Sequence, residues 1–180
     1  MVKQLDMAFH KYMKTLKGVI VSLSLVLAIA FTASAQTNLV SLDGSRVNLE
    51  GQTGKVVVIA FGASWLPLSG KQAEFTNALA KKYEGKSVVF YFVATDSSNA
   101  KSKNFATDAA IQKFAAENKL TATVLRDSDG AATLKKFNVE QFPSFVILDK
   151  SGNQVGEPFG GLDPKYDITI PVSKAIDKLL

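Results

Sequence analysis

The chain of 180 residues contains no cysteine, and its single histidine is His10. Thiolate and imidazole groups supply many of the nucleophiles, general bases and transition-metal ligands of proteins. Their absence from residues 36–180 excludes thiol chemistry, disulfide bonds and the usual ligand sets of zinc, copper and haem. We therefore expect no cofactor and no metal, and a core that is stabilised by burial rather than by cross-links.

The first 35 residues have the pattern of a secretory signal peptide. Four lysines precede an apolar run over residues 19–33, which is short for a membrane span and ends in Ala33-Ser34-Ala35. We predict cleavage before Gln36, with an uncleaved signal anchor as the alternative. A lipid anchor is not expected, because it needs a cysteine just after the cleavage site and the chain has none. The protein is therefore expected to be periplasmic or secreted, with no membrane contact after cleavage.

Basic residues exceed acidic ones, with 21 Lys and Arg against 16 Asp and Glu, and the formal net charge is +5. Residues 36–180 keep 17 of these basic residues and 15 of the acidic ones, which leaves +2. The remaining lysines are spread along the chain, and no nucleic-acid-binding module is recognisable. Nucleic acid is therefore not expected as a partner.

Residues 36–180 have the pattern of one domain in which strands and helices alternate. A hairpin around Asp43-Gly44 comes first, and continuous apolar runs at 56–61 and 88–93 predict buried central strands. A terminal hairpin is expected to turn at Lys150-Ser151-Gly152, and Pro171 to open the last helix. This order predicts an α/β fold with a mixed sheet and helices on both faces.

Local signals make three further predictions. Pro67 is expected in the first turn of the helix after the first central strand. Residues 96–104 show no strong period and predict a surface excursion. Asp127-Ser128-Asp129-Gly130 predicts the start of a small helix that carries Leu134 and Phe137.

Residues 61–69 read Phe-Gly-Ala-Ser-Trp-Leu-Pro-Leu-Ser, and Pro143 stands at the mouth of a later strand. With this frame the chain resembles the thioredoxin superfamily, specifically its exported thiol–disulfide oxidoreductases and redoxin domains, over residues 39–180. The resemblance implies a thioredoxin-like three-layer α/β/α fold for residues 36–180, with a mixed central sheet and an N-terminal β-hairpin. It also implies that the peptide bond before Pro143 is cis.

The chain departs from this family at the residues that carry the chemistry. Leu66 takes the place of the nucleophilic cysteine, and Ser69 that of the resolving cysteine. Leucine has no ionisable group, and a serine hydroxyl forms no mixed disulfide. The peroxiredoxin cysteine frame also fails, at Gly62 as well as at these two positions. We therefore expect no catalytic residue, and neither disulfide exchange nor peroxide reduction.

Three functional hypotheses follow. The leading one is a non-catalytic binding or scaffold module for an extended peptide or an exported protein, with a candidate groove formed by Trp65, Leu66, Pro67, Leu68, Phe142 and Pro143. The second is an enzyme of unrecognised non-thiol chemistry that uses the helix N-terminus near Ser69 as an anion or carbonyl site. The third is an oxidoreductase or antioxidant role that the protein has only through a partner, or that the family resemblance suggests without support from the residues of this chain. Packing at the rim of the core is the simpler explanation of Trp65. Leu66 and Leu68 are explained equally well by neutral sequence drift and by a binding role.

Overall fold

One mixed seven-stranded sheet organises the protein. A computed structural model describes residues 36–161, 163 and 165–180, so the signal-peptide prediction for residues 1–35 lies outside the described residues. In spatial order the strands run β2-β1-β5-β4-β3-β6-β7. The β3·β4 and β4·β5 pairs are parallel and the other pairs are antiparallel. The strands are β1 (Asn38–Ser41), β2 (Arg46–Asn48), β3 (Val56–Gly62), β4 (Val88–Ala94), β5 (Thr123–Arg126), β6 (Ser144–Leu148) and β7 (Phe159–Gly160).

The described residues form three α-helices beside the sheet: α1 (Ser69–Lys82), α2 (Asp108–Glu117) and α3 (Thr169–Asp177). None of the helices formed by the described residues is long and apolar enough to cross a membrane. Pro67 lies two residues before α1, not in its first turn, because Ser69 N still donates to Leu66 O in a tight turn at 3.0 Å. Pro171 is the third residue of α3 instead of its first. A proline is tolerated there because the first N–H groups of a helix have no intrahelical acceptor.

The three helices pack on one face of the sheet. Val56, Val58 and Ala60 of β3 face a cluster that includes residues from all three helices, among them Leu79 of α1 and Val172 of α3. Every residue of β3 is buried. The continuous apolar run therefore reflects a central strand that is covered on both sides.

The opposite face is covered by residues 128–139, which form no α-helix. The small helix predicted to start at residues 127–130 begins there as a 3-10 helix and does not continue as an α-helix. A 3-10 turn (Ser128–Gly130) is followed by successive turns that carry Leu134 and Phe137 into the second core cluster. Asp129 and Gly130 both have left-handed backbone, with φ of 57° and 66°, and such residues interrupt a right-handed helix.

The two C-terminal strands of the sheet pair only briefly. Ser144 pairs with Gly160 and Phe145 with Phe159, whereas Leu148 and Gln154 form a single isolated bridge. The second strand of the predicted hairpin is therefore much shorter than expected, because only Phe159 and Gly160 form a strand there. Gly156, with a φ of 69°, lies between the bridge and β7 and breaks the extended backbone there.

The segment after β4 is only partly a surface excursion. Asp96 and Ser97 are buried, whereas residues 98–101 are mostly exposed. Ser97 donates its N–H to Asn104 O at 2.9 Å, and the Arg126 guanidinium donates to Ser97 O at 3.2 Å. The excursion is therefore tied back to the end of the sheet at its base.

Candidate functional site

The candidate site lies at the carboxyl end of β3, where residues 63–68 connect this strand to α1. We call this segment the β3–α1 loop. Gly62 pairs with Ala94, so the parallel strands β3 and β4 end together at this edge of the sheet. Thr95 donates both its N–H, at 2.9 Å, and its hydroxyl, at 3.0 Å, to Gly62 O. The loop therefore starts from a strand end that is fixed on one side by β4.

A buried carboxylate holds the start of this loop. Asp96 has no exposed surface. Its Oδ1 accepts the Ser64 N–H at 3.0 Å and the Ser64 hydroxyl at 2.5 Å, and its Oδ2 is 3.1 Å from the same nitrogen. A buried carboxylate is stabilised by such donors, and in return it fixes the backbone immediately before Trp65.

The loop presents its apolar side chains unequally. Trp65 is 51% exposed and Pro67 is exposed, whereas Leu66 is half-buried. Leu68 is also half-buried and packs against the helix-side core cluster. Of the four loop residues in the candidate groove, Trp65 and Pro67 are thus the most accessible to a partner.

Ser69, the position of the family's resolving cysteine, lies inside the protein. It has no exposed surface, and its Oγ accepts the Ala63 N–H at 3.2 Å. Leu68, the residue before the helix, makes no side-chain capping bond. The nearby carboxylate Glu74 is exposed and pairs with Lys71 at 2.5 Å. The hypothesis of a reactive site at Ser69 gains nothing from this arrangement, because the hydroxyl does not reach solvent.

The Phe142–Pro143 peptide bond is cis, and Pro143 is buried. Phe142 is half-buried against the second core cluster. Phe61 pairs with Ser144, so continuation of this antiparallel register sets Pro143 opposite Gly62. The structure therefore brings the loop and the Phe142–Pro143 segment to the same end of the sheet.

The strand after Pro143 is not a free edge. From Ser144 onward β6 lies between β3 and β7, so no peptide can add to it there. Only the short stretch before Ser144 remains for backbone contacts with an added chain. A depression of about 430 Å³ adjoins this stretch and is lined by Asn138, Glu140, Gln141, Glu157, Pro158 and Gly160.

Two polar residues of the site were not found by sequence reasoning. Asp96 lies in the segment predicted as a surface excursion, and Gln72 carries no motif of its own. Gln72 is fully buried, and its Nε2 donates to Ser144 O at 2.6 Å. The available signals were weak: a carboxylate two residues after a buried strand, and an amide one turn into a helix beside its apolar stripe.

Among the described residues, no group of three or more histidine, cysteine or carboxylate side chains is placed to hold a metal ion. The carboxylates near the site instead accept hydrogen bonds from backbone N–H groups and from serine hydroxyls. Asp127 accepts the N–H groups of Ala132 and Thr133, both at 3.0 Å. Asp129 accepts the hydroxyls of Ser97 and Ser128 at 3.1 and 2.9 Å.

Comparison with known proteins agrees with the architecture. A family model described as Redoxin matches residues 28–162. A thiol-disulfide oxidoreductase named ResA, from Bacillus thuringiensis subsp. konkukian, is 27% identical over 116 residues, which are 64% of this chain and 61% of the relative. The chain thus spans about three fifths of the length of this curated relative.

Solved structures share the fold. A thioredoxin-like protein from Aeropyrum pernix superposes with a TM-score of 0.64 at 19% identity, covering 91% of this chain and 99% of the other. A secreted disulfide oxidoreductase from Mycobacterium tuberculosis gives a TM-score of 0.58 at 24% identity and covers 79% and 95% of the two chains. At these identities the likeness establishes a thioredoxin-like fold.

Proposed function

This chain belongs to the Redoxin family, and we propose that within it the protein is a non-catalytic module that binds an extended peptide or an exported protein. The observation that supports this proposal is that the chain keeps residues around the family's active-site position but lacks the two cysteines that carry out the reaction. Leu66 and Ser69 occupy the positions of the two thiols, and the chain has no cysteine. The β3–α1 loop nevertheless keeps a half-exposed Trp65 at the same sheet end as cis-Pro143.

The exposed part of the loop is suited to contact. Tryptophan contributes strongly at protein interfaces because a large apolar ring is buried there with little loss of rotamer freedom. Pro67 beside it is already restricted in φ, so ordering its backbone on binding costs little entropy. The hydrogen bonds from Ser64 to Asp96 hold the segment in place before a partner arrives.

We further propose that the protein is exported and that cleavage before Gln36 releases the domain. A secreted structural relative and the signal-like N-terminal pattern support this proposal. Cleavage there would fall just before residues that are bonded to the domain: Thr37 follows Gln36, and its N–H and hydroxyl donate to the Glu50 carboxylate at 2.7 and 2.9 Å. The N-terminal residue of the exported protein and its intact mass test the cleavage site.

Binding is tested with reduced, S-carboxymethylated α-lactalbumin, an unfolded chain without free thiols. The wild-type protein should bind it, and Trp65→Ala combined with Pro67→Ala should weaken the affinity by about tenfold or more while the fold is kept. Leu180→Ala is the matched control. Leu180 is 46% exposed. It lies at the opposite end of β3 from the β3–α1 loop: its carbonyl oxygen accepts from the Lys150 side chain, and the Lys150 carbonyl oxygen accepts from the Gly54 N–H just before β3.

The absence of redox catalysis is tested separately on the same purified protein. Insulin reduction and peroxide consumption should not exceed the buffer rate, because thiol–disulfide exchange needs a thiolate nucleophile. Turnover above buffer would refute the non-catalytic assignment. Failure to bind the unfolded probe, or equal binding by the Trp65 and Pro67 double variant, would refute the binding module.

A further inference from the structure

Gln72 is buried directly behind the β3–α1 loop and links the two sides of the candidate groove. It lies one turn into α1, the helix that follows the loop, and its Nε2 donates to Ser144 O at 2.6 Å. Ser144 comes immediately after cis-Pro143. A single side chain therefore connects the helix behind Trp65 to the segment that carries Phe142 and Pro143.

The orientation of the Gln72 amide is fixed by chemistry. The Ser144 carbonyl oxygen only accepts hydrogen bonds, so the amide nitrogen must face it and the amide oxygen must face away. Gln72 Oε1 lies 3.0 Å from the point that a Cβ on Gly62 would occupy, and Ser69 Oγ lies at the same distance. The amide thus reaches the end of β3, the start of α1 and the start of β6.

This link carries an energetic cost. Gln72 Oε1 is buried and has no hydrogen-bond partner among the described residues, and the same is true of Ser144 Oγ. An unpartnered buried polar atom lowers stability, whereas an apolar side chain of similar volume avoids that loss. The contribution of Gln72 to stability therefore does not explain its amide.

We infer that Gln72 is a positioning residue that sets the separation between the β3–α1 loop and the Phe142–Pro143 segment. The inference rests on the proposed binding function. A partner that contacts both sides needs them at one fixed separation. A surface held there in advance loses less conformational entropy on binding than a loose one does.

The test compares Gln72→Met with Thr76→Val. Methionine keeps the volume and apolar stem of Gln72 but removes the amide. Thr76 is also fully buried on α1, and its hydroxyl donates to Gln72 O within the helix at 2.8 Å, so its loss leaves the link to β6 intact. Three quantities are measured for each variant: the thermal midpoint, the affinity for reduced, S-carboxymethylated α-lactalbumin, and acrylamide quenching of Trp65, the single tryptophan of the chain.

For Gln72→Met we expect a thermal midpoint within about 4 °C of the wild type. We expect an affinity weakened by about tenfold, because the two sides are no longer held at one separation before the partner binds, and stronger quenching of Trp65. Thr76→Val should leave affinity and quenching at the wild-type level.

Unchanged quenching in Gln72→Met would overturn the inference, and so would unchanged affinity. A thermal midpoint lowered well beyond 4 °C would also overturn it, because Gln72 would then be an ordinary structural residue. If the wild-type protein itself fails to bind the probe, the proposed function fails, and Trp65 quenching alone still decides whether Gln72 positions the loop.

Discussion

Asp96 and Ser64 are joined by two hydrogen bonds at the carboxyl edge of the sheet: Asp96 Oδ1 accepts the Ser64 N–H at 3.0 Å and the Ser64 hydroxyl at 2.5 Å. The two residues are 32 positions apart in the chain. The bond pair joins the end of β4 to the segment that presents Trp65. In a loop without thiols or a disulfide, this buried carboxylate restrains the backbone immediately before Trp65.

Asp96→Asn should destabilise the protein by about 1–3 kcal/mol. The Ser64 nitrogen lies almost equally close to both carboxylate oxygens, at 3.0 and 3.1 Å, so an asparagine amide would bring one N–H donor against another. Urea unfolding measures the loss, and stronger acrylamide quenching of Trp65 should accompany it. Asp129→Asn, an exposed carboxylate nearby, is the control and should change stability much less. Equal stability of the two variants would contradict the role of Asp96.

Gly62→Ala should also destabilise the protein, by about 1–3 kcal/mol, through steric overlap. A Cβ at this position would lie 2.7 Å from Phe92 Cζ and 3.0 Å from Gln72 Oε1. Phe92 is fully buried in the core and cannot move aside without disturbing its neighbours.

Gly70→Ala is the matched control. Gly70 is the second residue of α1, and the nearest atom to a Cβ there is the Asn118 Oδ1 side-chain end at 3.0 Å. Alanine also has the higher helix propensity, so we expect a change close to zero. Thermal unfolding of both variants distinguishes the two sites, and a Gly62→Ala protein as stable as the wild type would show that the strand end has room to relax.

The elements that the sequence predicted well are those decided by local pattern. The apolar runs of β3 and β4 follow from hydrophobicity alone. The positions of Trp65 and Pro143 at one sheet end followed from the family frame.

What the sequence did not reveal depends on contacts between distant segments. Asp96 looks like a loop carboxylate until β3 and β4 are paired and Ser64 is placed beside it. Gln72 is recognised only once Ser144 lies across from it. The left-handed backbone of Asp129 and Gly130 interrupts the helix expected on the opposite face of the sheet, and the Asp-Gly dipeptide, which marks turns, is the local signal for it.

Stability should fall in acid because Glu50 is ionised in the folded protein. Burial raises the pKa of Glu50, but hydrogen bonds from Lys136 and from the Thr37 N–H and hydroxyl outweigh burial and hold the pKa below its ordinary value of 4.5. A group with a lowered folded pKa stabilises the protein above its unfolded pKa, and this contribution is lost as the pH falls through the folded pKa. The exposed carboxylate of Asp43 behaves likewise, because its hydrogen bonds to Ser41 and Ser45 lower its pKa to about 2.

Glu50→Gln should therefore lower the free energy of unfolding at pH 7 by about 1–3 kcal/mol, and the difference from the wild type should shrink as the pH falls below about 4.5. Urea unfolding across this pH range measures both effects. Glu74→Gln is the control, because the Glu74–Lys71 pair is exposed and such pairs contribute little. A Glu50→Gln deficit that stays constant down to pH 2 would mean that the charge of Glu50 is not its cause.

Pro67 and Leu68 are adjacent in the candidate groove, but their substitution should affect different properties. Leu68 packs against the helix-side core, so Leu68→Ala removes buried apolar surface and should cost about 1–2 kcal/mol of stability. Pro67 is exposed, and Pro67→Ala should stay within about 0.5 kcal/mol of the wild type. Because Leu68 supports the fold, its replacement by a charged residue would mix unfolding with loss of binding. If Leu68→Ala proved as stable as Pro67→Ala, Leu68 would be free for a partner and the accessible surface would extend along the whole loop.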